Sequence, residues 1–145
     1  MSDWSTCLER YAAAYEQLTP ERLPVLAALL AEDVEFRDPF NAIAGRAAVV
    51  RLFHHMFETL DGPSFAVRDR AVGSSACYIG WRMRFRRHRR PEPWQIEGVS
   101  MVCFDREGLV RLHVDHWDAA SQVYEHVPLL GAILRLVKRR LAAGA

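Results

Sequence analysis

The chain has 145 residues, half of them hydrophobic, which is enough to form one compact domain around its own core. A formal net charge of +1 argues against a chain-wide field that attracts nucleic acid, and no nucleic-acid partner is expected. The three cysteines form no CxxC pair, so neither a disulfide framework nor a cysteine-rich zinc site is expected. This cysteine usage makes a reducing cytoplasm the expected compartment. The opening segment MSDWSTCLERY lacks the basic and apolar regions of a signal peptide, so no signal peptide is expected.

Helical patterns fill most of the first 60 residues. Residues 4–18 place apolar side chains at spacings of three and four, which predicts one amphipathic helix. Thr19 is a suitable N-cap for a second helix through LPVLAALLA, which is expected to end near Glu32. The stretch DVEFRDPFN, residues 33–41, is interpreted as a short extended piece. A third amphipathic helix is predicted over RAAVVRLFHHMFETL, residues 46–60.

From Ser64 onward the hydrophobic period changes to two, which indicates strands. The predicted strands are FAVRDRAV, CYIGWRMRFR, WQIEGVSMVCF and LVRLHVDHW, and the turn DREG joins the last two as a hairpin. Residues 119–142 are predicted to be helical, with a break at VPLLG. Because helices and strands are segregated along the chain, the pattern favours an α+β fold over parallel βαβ units. We expect one domain over residues 1–145, in which residues 126–145 are a C-terminal helical extension.

Together with this order of elements, a few short motifs resemble the nuclear-transport-factor-2-like superfamily. They are LLAEDVEFRDPF, the following Gly45 and the HWD that closes the last strand. Within the superfamily the chain is similar to the SnoaL-like and ketosteroid-isomerase-like branch, up to about residue 125. The resemblance implies a cone in which three N-terminal helices pack in a curved antiparallel sheet around a pocket. Members of that superfamily include isomerases, polyketide cyclases, dehydratases, epoxide hydrolases and non-catalytic binding domains, so the fold alone does not name an activity.

Asp38 is the first candidate for a catalytic residue. The resemblance places it where ketosteroid isomerases carry their general-base aspartate, at the rim of the pocket. A carboxylate in that position can take a proton from a carbon next to a carbonyl group. The alternative is structural, because an aspartate before a proline, here Pro39, commonly caps a turn.

Tyr11 and Tyr15 are the candidates for an oxyanion donor. The resemblance aligns Tyr11 with the family's oxyanion-hole tyrosine, and Tyr15 lies one helical turn further on. At least one of the two is expected to be an ordinary core aromatic. Ser100 takes the position of the protonated aspartate in ketosteroid isomerase, and a serine hydroxyl is a weaker donor. Steroid isomerisation by that mechanism is therefore not expected unless another strand supplies the donor.

The stretch HVDHWD, residues 113–118, concentrates polar side chains at the end of the last strand. Strand alternation assigns Arg111, His113, Asp115 and Trp117 to one face and Val110, Leu112, Val114 and His116 to the other. Alignment of the hairpin on Phe104 and Gly108 places His113, Asp115 and Trp117 toward the pocket, where His113 and Asp115 can form an acid–base pair. A metal site is not expected, because too few ligands share one face. No cofactor is implied.

Arg82 decides how the pocket wall is built. By alternation it lies opposite Trp81, Met83 and Phe85. We expect Arg82 to face inward as the partner of Asp115 or of an anionic ligand, which makes HVDHWD a closed polar network without chemistry in the first case. The alternative is that the apolar set fills the cone and the arginines are solvated.

The expected ligand-binding residues combine this wall with the third helix. They are Arg82, Ser100, Trp117, Phe53 and Phe57. The arginine-rich segment RMRFRRHRRPEPW is interpreted as a solvated hairpin tip rather than a nucleic-acid site.

The tail PLLGAILRLVKRRLAAGA is basic and amphipathic. It can lie on an anionic membrane, close the pocket or pack on a partner subunit, and the membrane is the less favoured of these.

The sequence therefore predicts a small-molecule pocket protein with an apolar ligand and a homodimer formed through the sheet. If it is an enzyme, it performs cofactor-free acid–base chemistry on an apolar carbonyl compound, namely isomerisation, cyclisation or dehydration. The base is Asp38 or the His113–Asp115 pair, and the oxyanion donor is Tyr11 or Tyr15. The alternative is a non-catalytic binding or accessory domain, with a membrane-associated module as a further variant.

Overall fold

The computed structural model describes residues 3–142 of the chain. The helices are α1 (Trp4–Glu16), α2 (Leu23–Ala27), α3 (Arg46–Thr59), α4 (Ala119–Gln122) and α5 (Leu130–Leu141). The strands are β1 (Leu30–Arg37), β2 (Ala42–Ala44), β3 (Leu60–Val72), β4 (Cys77–Arg87), β5 (Pro93–Phe104) and β6 (Val110–His116). Short 3₁₀ turns at Pro20–Arg22 and Tyr124–His126 precede α2 and α5. Residues 1–2 and 143–145 of the predicted domain and tail lie outside the described residues.

The strands form one curved, open sheet in the order β2-β1-β6-β5-β4-β3. The pairs β3–β4, β4–β5 and β5–β6 are antiparallel, as the hairpin patterns predict. The pair β1–β6 is parallel, so the sheet is mixed rather than wholly antiparallel. A parallel pair needs a long crossover, which α3 and the β3–β5 meander supply here. The predicted α+β class, with helices packed against a curved sheet, is confirmed.

The second predicted helix is shorter than its sequence pattern. It ends at Ala27, and β1 begins at Leu30, where a helix running to Glu32 was expected. Leu30 pairs with Val110 of β6, and the Val110 amide donates a hydrogen bond to the Leu29 carbonyl at 2.9 Å. Pairing with a neighbouring strand thus competes with helix formation in a segment whose apolar run is compatible with both.

Helices α1 and α3 pack into the concave side of the sheet and supply much of the core. Helix α1 starts at the N-cap Asp3, whose carboxylate accepts a hydrogen bond from the Ser5 amide at 3.1 Å. Gly45 precedes α3 with φ of 98°, a conformation that favours glycine. The most deeply buried side chains of this core include Leu8, Tyr11, Leu26, Leu30, Val34, Val49, Cys77, Val102 and Val110.

The segment after β6 is helical with a break, as predicted. The break falls at VPLLG, where Leu129 adopts φ of 68° between the 3₁₀ turn and α5. Within residues 3–142, no helix is long and apolar enough to cross a membrane.

Candidate functional site

A cavity of about 260 Å³ lies between α3 and the concave face of the sheet. This volume is slightly below the usual range of ligand pockets, about 300–1,000 Å³, so it suits a compact ligand of about one or two rings. Its wall is mainly aliphatic and aromatic, and no arginine or lysine of the described residues lines it. The lining residues are Tyr15, Phe36, Asp38, Phe40, Leu52, Phe53, His55, Met56, Thr59, Leu60, Phe65, Val67, Ile79, Trp81, Met83, Ile96, Ser100, Asp115 and Trp117.

Asp115 is a carboxylate in the wall of this apolar cavity. Its Oδ1 accepts a hydrogen bond from the Ser100 hydroxyl at 2.5 Å and lies 2.6 Å from His113 Nε2. Its Oδ2 accepts no hydrogen bond from the side chains and amides that the structure describes, and the side chain is 18% exposed. Oδ1 therefore fixes the carboxylate in place, while Oδ2 has no hydrogen-bond donor among the residues that the structure describes.

His113 is a buried positioning group behind Asp115. It is 1% exposed and does not line the cavity. Its ring stacks on Phe36 with centroids 4.6 Å apart, and its Nδ1 lies 2.8 Å from the Tyr11 hydroxyl. When Asp115 is ionised, Nε2–H donates to the carboxylate, and Nδ1 then accepts a hydrogen bond from Tyr11. Both ring nitrogens are thus occupied, which fixes the orientation of the imidazole.

Tyr11 and Tyr15 of α1 extend this series of hydrogen bonds beyond His113. Both can take part because residues four apart lie on one face of a helix. Their hydroxyl oxygens are 3.3 Å apart. Tyr15 lines the cavity, whereas Tyr11 is 1% exposed and does not. Burial raises the pKa of Tyr11 and of Tyr15 well above the usual tyrosine range, so both phenols stay protonated at neutral pH. Tyr15 is therefore the phenol that can reach a ligand.

The raised pKa values of Tyr11 and Tyr15 predict alkaline destabilisation. Unfolding releases both phenols to a pKa near 10.0, so above that pH the unfolded chain loses protons that the folded chain retains. This contribution to stability is complete below pH 10 and is lost as the pH rises above it, by up to about 1.4 kcal/mol per pH unit for each tyrosine. Urea titrations at a series of alkaline pH values measure the slope.

A Tyr15→Phe variant is the matched comparison for this slope. It removes one of the two titrating phenols while keeping the ring in place. Its unfolding free energy should fall less steeply with pH than that of the unaltered chain. Equal slopes in the two proteins would contradict the assignment.

Ser100 is held on its other side by Trp81. The Trp81 indole N–H donates a hydrogen bond to Ser100 Oγ at 2.8 Å, which leaves the serine proton for Asp115. The indole can lie there because Gly98, which pairs with Trp81, has no side chain. A Cβ at Gly98 would be 2.6 Å from Trp81 Cζ2 and 2.9 Å from the His116 carbonyl oxygen.

Gly98→Ala is expected to destabilise the chain by about 1–3 kcal/mol, because the added methyl group must displace the Trp81 ring or backbone. The matched control is Gly80→Ala, where the nearest atom to the new Cβ is at 3.8 Å, an ordinary contact. That change should stay within about 0.5 kcal/mol of the unaltered chain. The urea midpoints of the two variants measure the effect. An equal loss of stability in both would show that the close contact between Trp81 and Gly98 is not the cause.

Asp38 lies at the mouth of the cavity but is engaged by its own loop. Its Oδ1 accepts hydrogen bonds from the Phe40 and Asn41 amides, both at 2.7 Å, and from Asn41 Nδ2 at 3.0 Å. Its Oδ2 accepts a further bond from Asn41 Nδ2 at 3.1 Å. These are the contacts of the turn-capping alternative, and they hold Asp38 away from the role of a free base.

The predicted inward orientation of Arg82 is wrong. Arg82 lies on the outer face of β4 and pairs with Glu97 of β5 at 2.7 Å, while Trp81 and Met83 line the cavity. The cross-strand register sets Arg82 opposite Glu97, so its guanidinium pairs with a carboxylate on the solvent-accessible face of the sheet. Asp115 is consequently held by Ser100 and His113 and not by an arginine.

Two smaller orientation predictions are also wrong. Phe57 packs against the core but does not line the cavity, because α3 turns Phe53 and Met56 toward it instead. Arg111 does not share the face of His113, because a register shift in the β5–β6 pair makes Arg111 an extra, exposed residue after Val110. The shift brings His113 and Asp115 to the concave side.

Sequence reasoning did not assign His55 and Thr59 of α3 to the site. Both border the cavity, together with Leu52 and Met56. The signal was present, because these positions recur at spacings of three and four along one stripe of the helix. Trp81 was considered only for the alternative wall, yet it donates the hydrogen bond that orients Ser100.

The comparisons with known proteins agree with this architecture. The family model of the SnoaL-like domain matches residues 8–113, which is well over half of the chain. The chain belongs to the SnoaL-like family. The resemblance inferred from its motifs is therefore confirmed. A search of curated proteins finds no match to this SnoaL-like chain.

Solved structures with the same fold are distant in sequence. A nuclear-transport-factor-2-like protein of unknown function from Burkholderia pseudomallei is 18% identical, with a TM-score of 0.71 over 85% of this chain and 96% of that one. An LEH-like epoxide hydrolase from M. tuberculosis is 18% identical, with a TM-score of 0.67 over 94% and 96%. A ketosteroid isomerase-like protein from Catenulispora acidiphila, in complex with trimethylamine, is 14% identical, with a TM-score of 0.68 over 81% and 88%. At these identities the likeness establishes the fold of the SnoaL-like chain.

Proposed function

We propose that this SnoaL-like protein is a cofactor-free enzyme that moves a proton on a small apolar carbonyl compound. The observation that carries the proposal is Asp115, which lines an apolar cavity and whose Oδ1 is fixed by two partners while Oδ2 has no donor among the described residues. A carboxylate held rigidly in water-poor surroundings, with one oxygen open, is suited to act as a general base. The small-molecule class is also supported by the fold, since similar structures include an epoxide hydrolase and a trimethylamine complex.

The proposed step is an enolisation. Asp115 Oδ2 takes a proton from the carbon next to the carbonyl group, and the electron pair of that C–H bond moves to form an enolate. When the compound carries a C=C bond between its β- and γ-carbons, the enolate is a conjugated dienolate, and return of the proton to the γ-carbon shifts the double bond into conjugation with the carbonyl group. The proton and the electron pair are conserved in this isomerisation, so no oxidant or reductant is required. A cyclisation or dehydration starts from the same enolate and differs in the bond that next forms or breaks.

Tyr15 is the proposed donor to the enolate oxygen. Its side chain lines the cavity, and the hydrogen bond of its hydroxyl to Tyr11 is long at 3.3 Å, so the hydroxyl can turn toward a ligand at small cost. Tyr11 and His113 act as positioning residues, because both are buried behind the cavity wall. The pair Asp115 and Tyr15 thus supplies a base on β6 and an oxyanion donor on α1.

The test is deuterium exchange, which detects a base without knowledge of the natural substrate. The intact chain is incubated in D₂O with apolar ketones of increasing size, including cyclohexanone, 2-decalone and 2-tetralone, and exchange at the α-carbon is followed by NMR. We expect exchange above the buffer rate that saturates with ketone concentration. Quenching of Trp81 and Trp117 fluorescence reports binding separately, because both indoles line the cavity.

The binding-only alternative makes the opposite prediction. Saturable fluorescence quenching by ketones without any accelerated exchange would overturn the catalytic proposal and leave a non-catalytic ligand-binding protein. A homodimer formed through the sheet remains a prediction.

A further inference from the structure

Helix α5 is attached to the rest of the chain along a narrow stripe. Gly131 is buried and Leu134 is half-buried, and Lys138 Nζ donates a hydrogen bond to Ser121 Oγ. These positions follow one another at spacings of three and four, so they mark the side of α5 that faces the protein. No described residue of α5 lines the cavity, which removes closure of the pocket from the three roles open to the tail.

The neighbouring side of α5 is apolar and exposed to solvent. Leu129 is 77% exposed and Leu141 is 80% exposed, and between them an exposed row runs along the helix. Successive members of this row are mostly three or four residues apart, which is about one helical turn. Their side chains therefore form a continuous apolar strip along the helix. The exposed apolar residues of α5 are Leu130, Ile133, Leu136, Val137 and Leu141.

The charge of α5 is of one sign. The helix sequence LGAILRLVKRRL contains four basic residues and no acidic one. More arginines lie close by in the β4–β5 hairpin, because Arg87 stacks over Trp94 at 4.3 Å and Trp94 contacts the His126 ring at 5.6 Å. His126 ends the 3₁₀ turn that leads into α5, so the arginine-rich hairpin lies near the start of α5.

We propose that α5 docks on an anionic lipid bilayer, with its apolar strip inserted at the interface and Arg139 and Arg140 on the headgroups. This surface is separate from the cavity and does not depend on the proposed reaction. An apolar strip flanked by cations is the pattern of helices that lie in the membrane surface. One such helix gives modest affinity, and the hairpin arginines supply the second electrostatic contribution that stable attachment needs.

A second copy of the chain fits the same strip less well. A two-fold dimer built on α5 would place no acidic side chain of α5 opposite its basic residues, because the helix contains none. Like charges at an interface are unfavourable, whereas anionic headgroups complement them. Charge therefore selects the bilayer as the occupant.

Co-sedimentation of the full chain with vesicles tests the proposal. We expect binding to vesicles of equal parts phosphatidylcholine and phosphatidylglycerol, and little binding to phosphatidylcholine alone. Replacing Arg139 and Arg140 together with glutamine should weaken binding to anionic vesicles about 25-fold, since each basic residue near such a surface contributes about fivefold. A chain that stays in the supernatant with anionic vesicles overturns the proposal.

A pair of glutamate substitutions separates insertion from charge alone. Val137→Glu places an acid in the exposed apolar strip and should weaken vesicle binding at least about tenfold. Ala132→Glu makes the same charge change at an exposed position about 140° away around the helix, and should lose only the fivefold electrostatic share. Equal losses in the two variants overturn insertion of the strip, and so does a dimer that Val137→Glu converts to monomer without any vesicle binding.

Discussion

Replacing Asp115 with asparagine is expected to lower ketone α-proton exchange by about 10²- to 10⁴-fold, the usual contribution of a general base. The amide keeps one oxygen, which can still accept from Ser100 and His113 as Oδ1 does now. It replaces the free Oδ2, the atom proposed to take the proton, with an NH₂ group. The exchange rate in D₂O at saturating ketone measures the effect, and fluorescence quenching should show ketone binding largely unchanged.

The control for this variant is Asp38→Asn. Asparagine can retain the acceptor that caps the Phe40 and Asn41 amides, so the loop and the exchange rate should both persist. If Asp38→Asn abolishes exchange while Asp115→Asn does not, the base is Asp38 and the present assignment is reversed. The two variants therefore separate the two carboxylates that the sequence nominated.

Tyr11→Phe is expected to lower the free energy of unfolding by about 1–3 kcal/mol, the cost of leaving a buried polar atom without a partner. The lost hydroxyl is the partner of His113 Nδ1, and His113 is almost fully buried. Because phenylalanine preserves the ring contacts of Tyr11 with Phe104 and Tyr15, the loss reports the hydrogen bond rather than packing. Urea denaturation at neutral pH gives the measurement.

Two further phenylalanine substitutions calibrate that result. Tyr78→Phe alters an exposed tyrosine on the outer face and should change stability by less than about 0.5 kcal/mol. Tyr15→Phe should cost less than Tyr11→Phe, because it leaves the bond between Tyr11 and His113 intact. A larger loss of unfolding free energy for Tyr15→Phe than for Tyr11→Phe would contradict the order of the hydrogen bonds, in which Tyr11 lies between His113 and Tyr15.

Periodicity predicted the elements well where it was unambiguous. The third helix and the strands from Cys77 onward follow their predicted limits closely, because long amphipathic segments carry a strong signal. The first predicted strand, by contrast, begins at Leu60 and not at Phe65. The family motifs predicted the curved sheet packed around helices, and strand alternation predicted that Asp115 and Trp117 face the pocket. The prediction that the second helix continues past Leu30 was wrong, because the short apolar run there is compatible with both helix and strand. Pairing with β6, which is distant in sequence, decides for the strand.

The site was harder to predict than the fold because it depends on which face of a strand each side chain occupies and on which residues pair across neighbouring strands. Arg82 faces outward since its cross-strand neighbour is Glu97, a register that one strand alone does not reveal. The bulge at Arg111 changes the phase of β6 in a way that strict alternation misses. The hydrogen bonds of Asp38 to its own loop likewise follow from backbone geometry after Pro39.

The seat of Trp81 over Gly98 has a consequence for redesign of this pocket. Trp81 is both the obvious residue to trim for a larger ligand and the donor that orients Ser100 toward Asp115. A smaller residue at Trp81 would enlarge the chamber and at the same time release the serine that restrains the carboxylate. The size of the ligand that fits and the restraint on Asp115 are therefore coupled through one indole. If the proposed reaction holds, variants with a smaller residue at Trp81 should need a compensating hydrogen-bond donor to Ser100 to keep their ketone exchange rate.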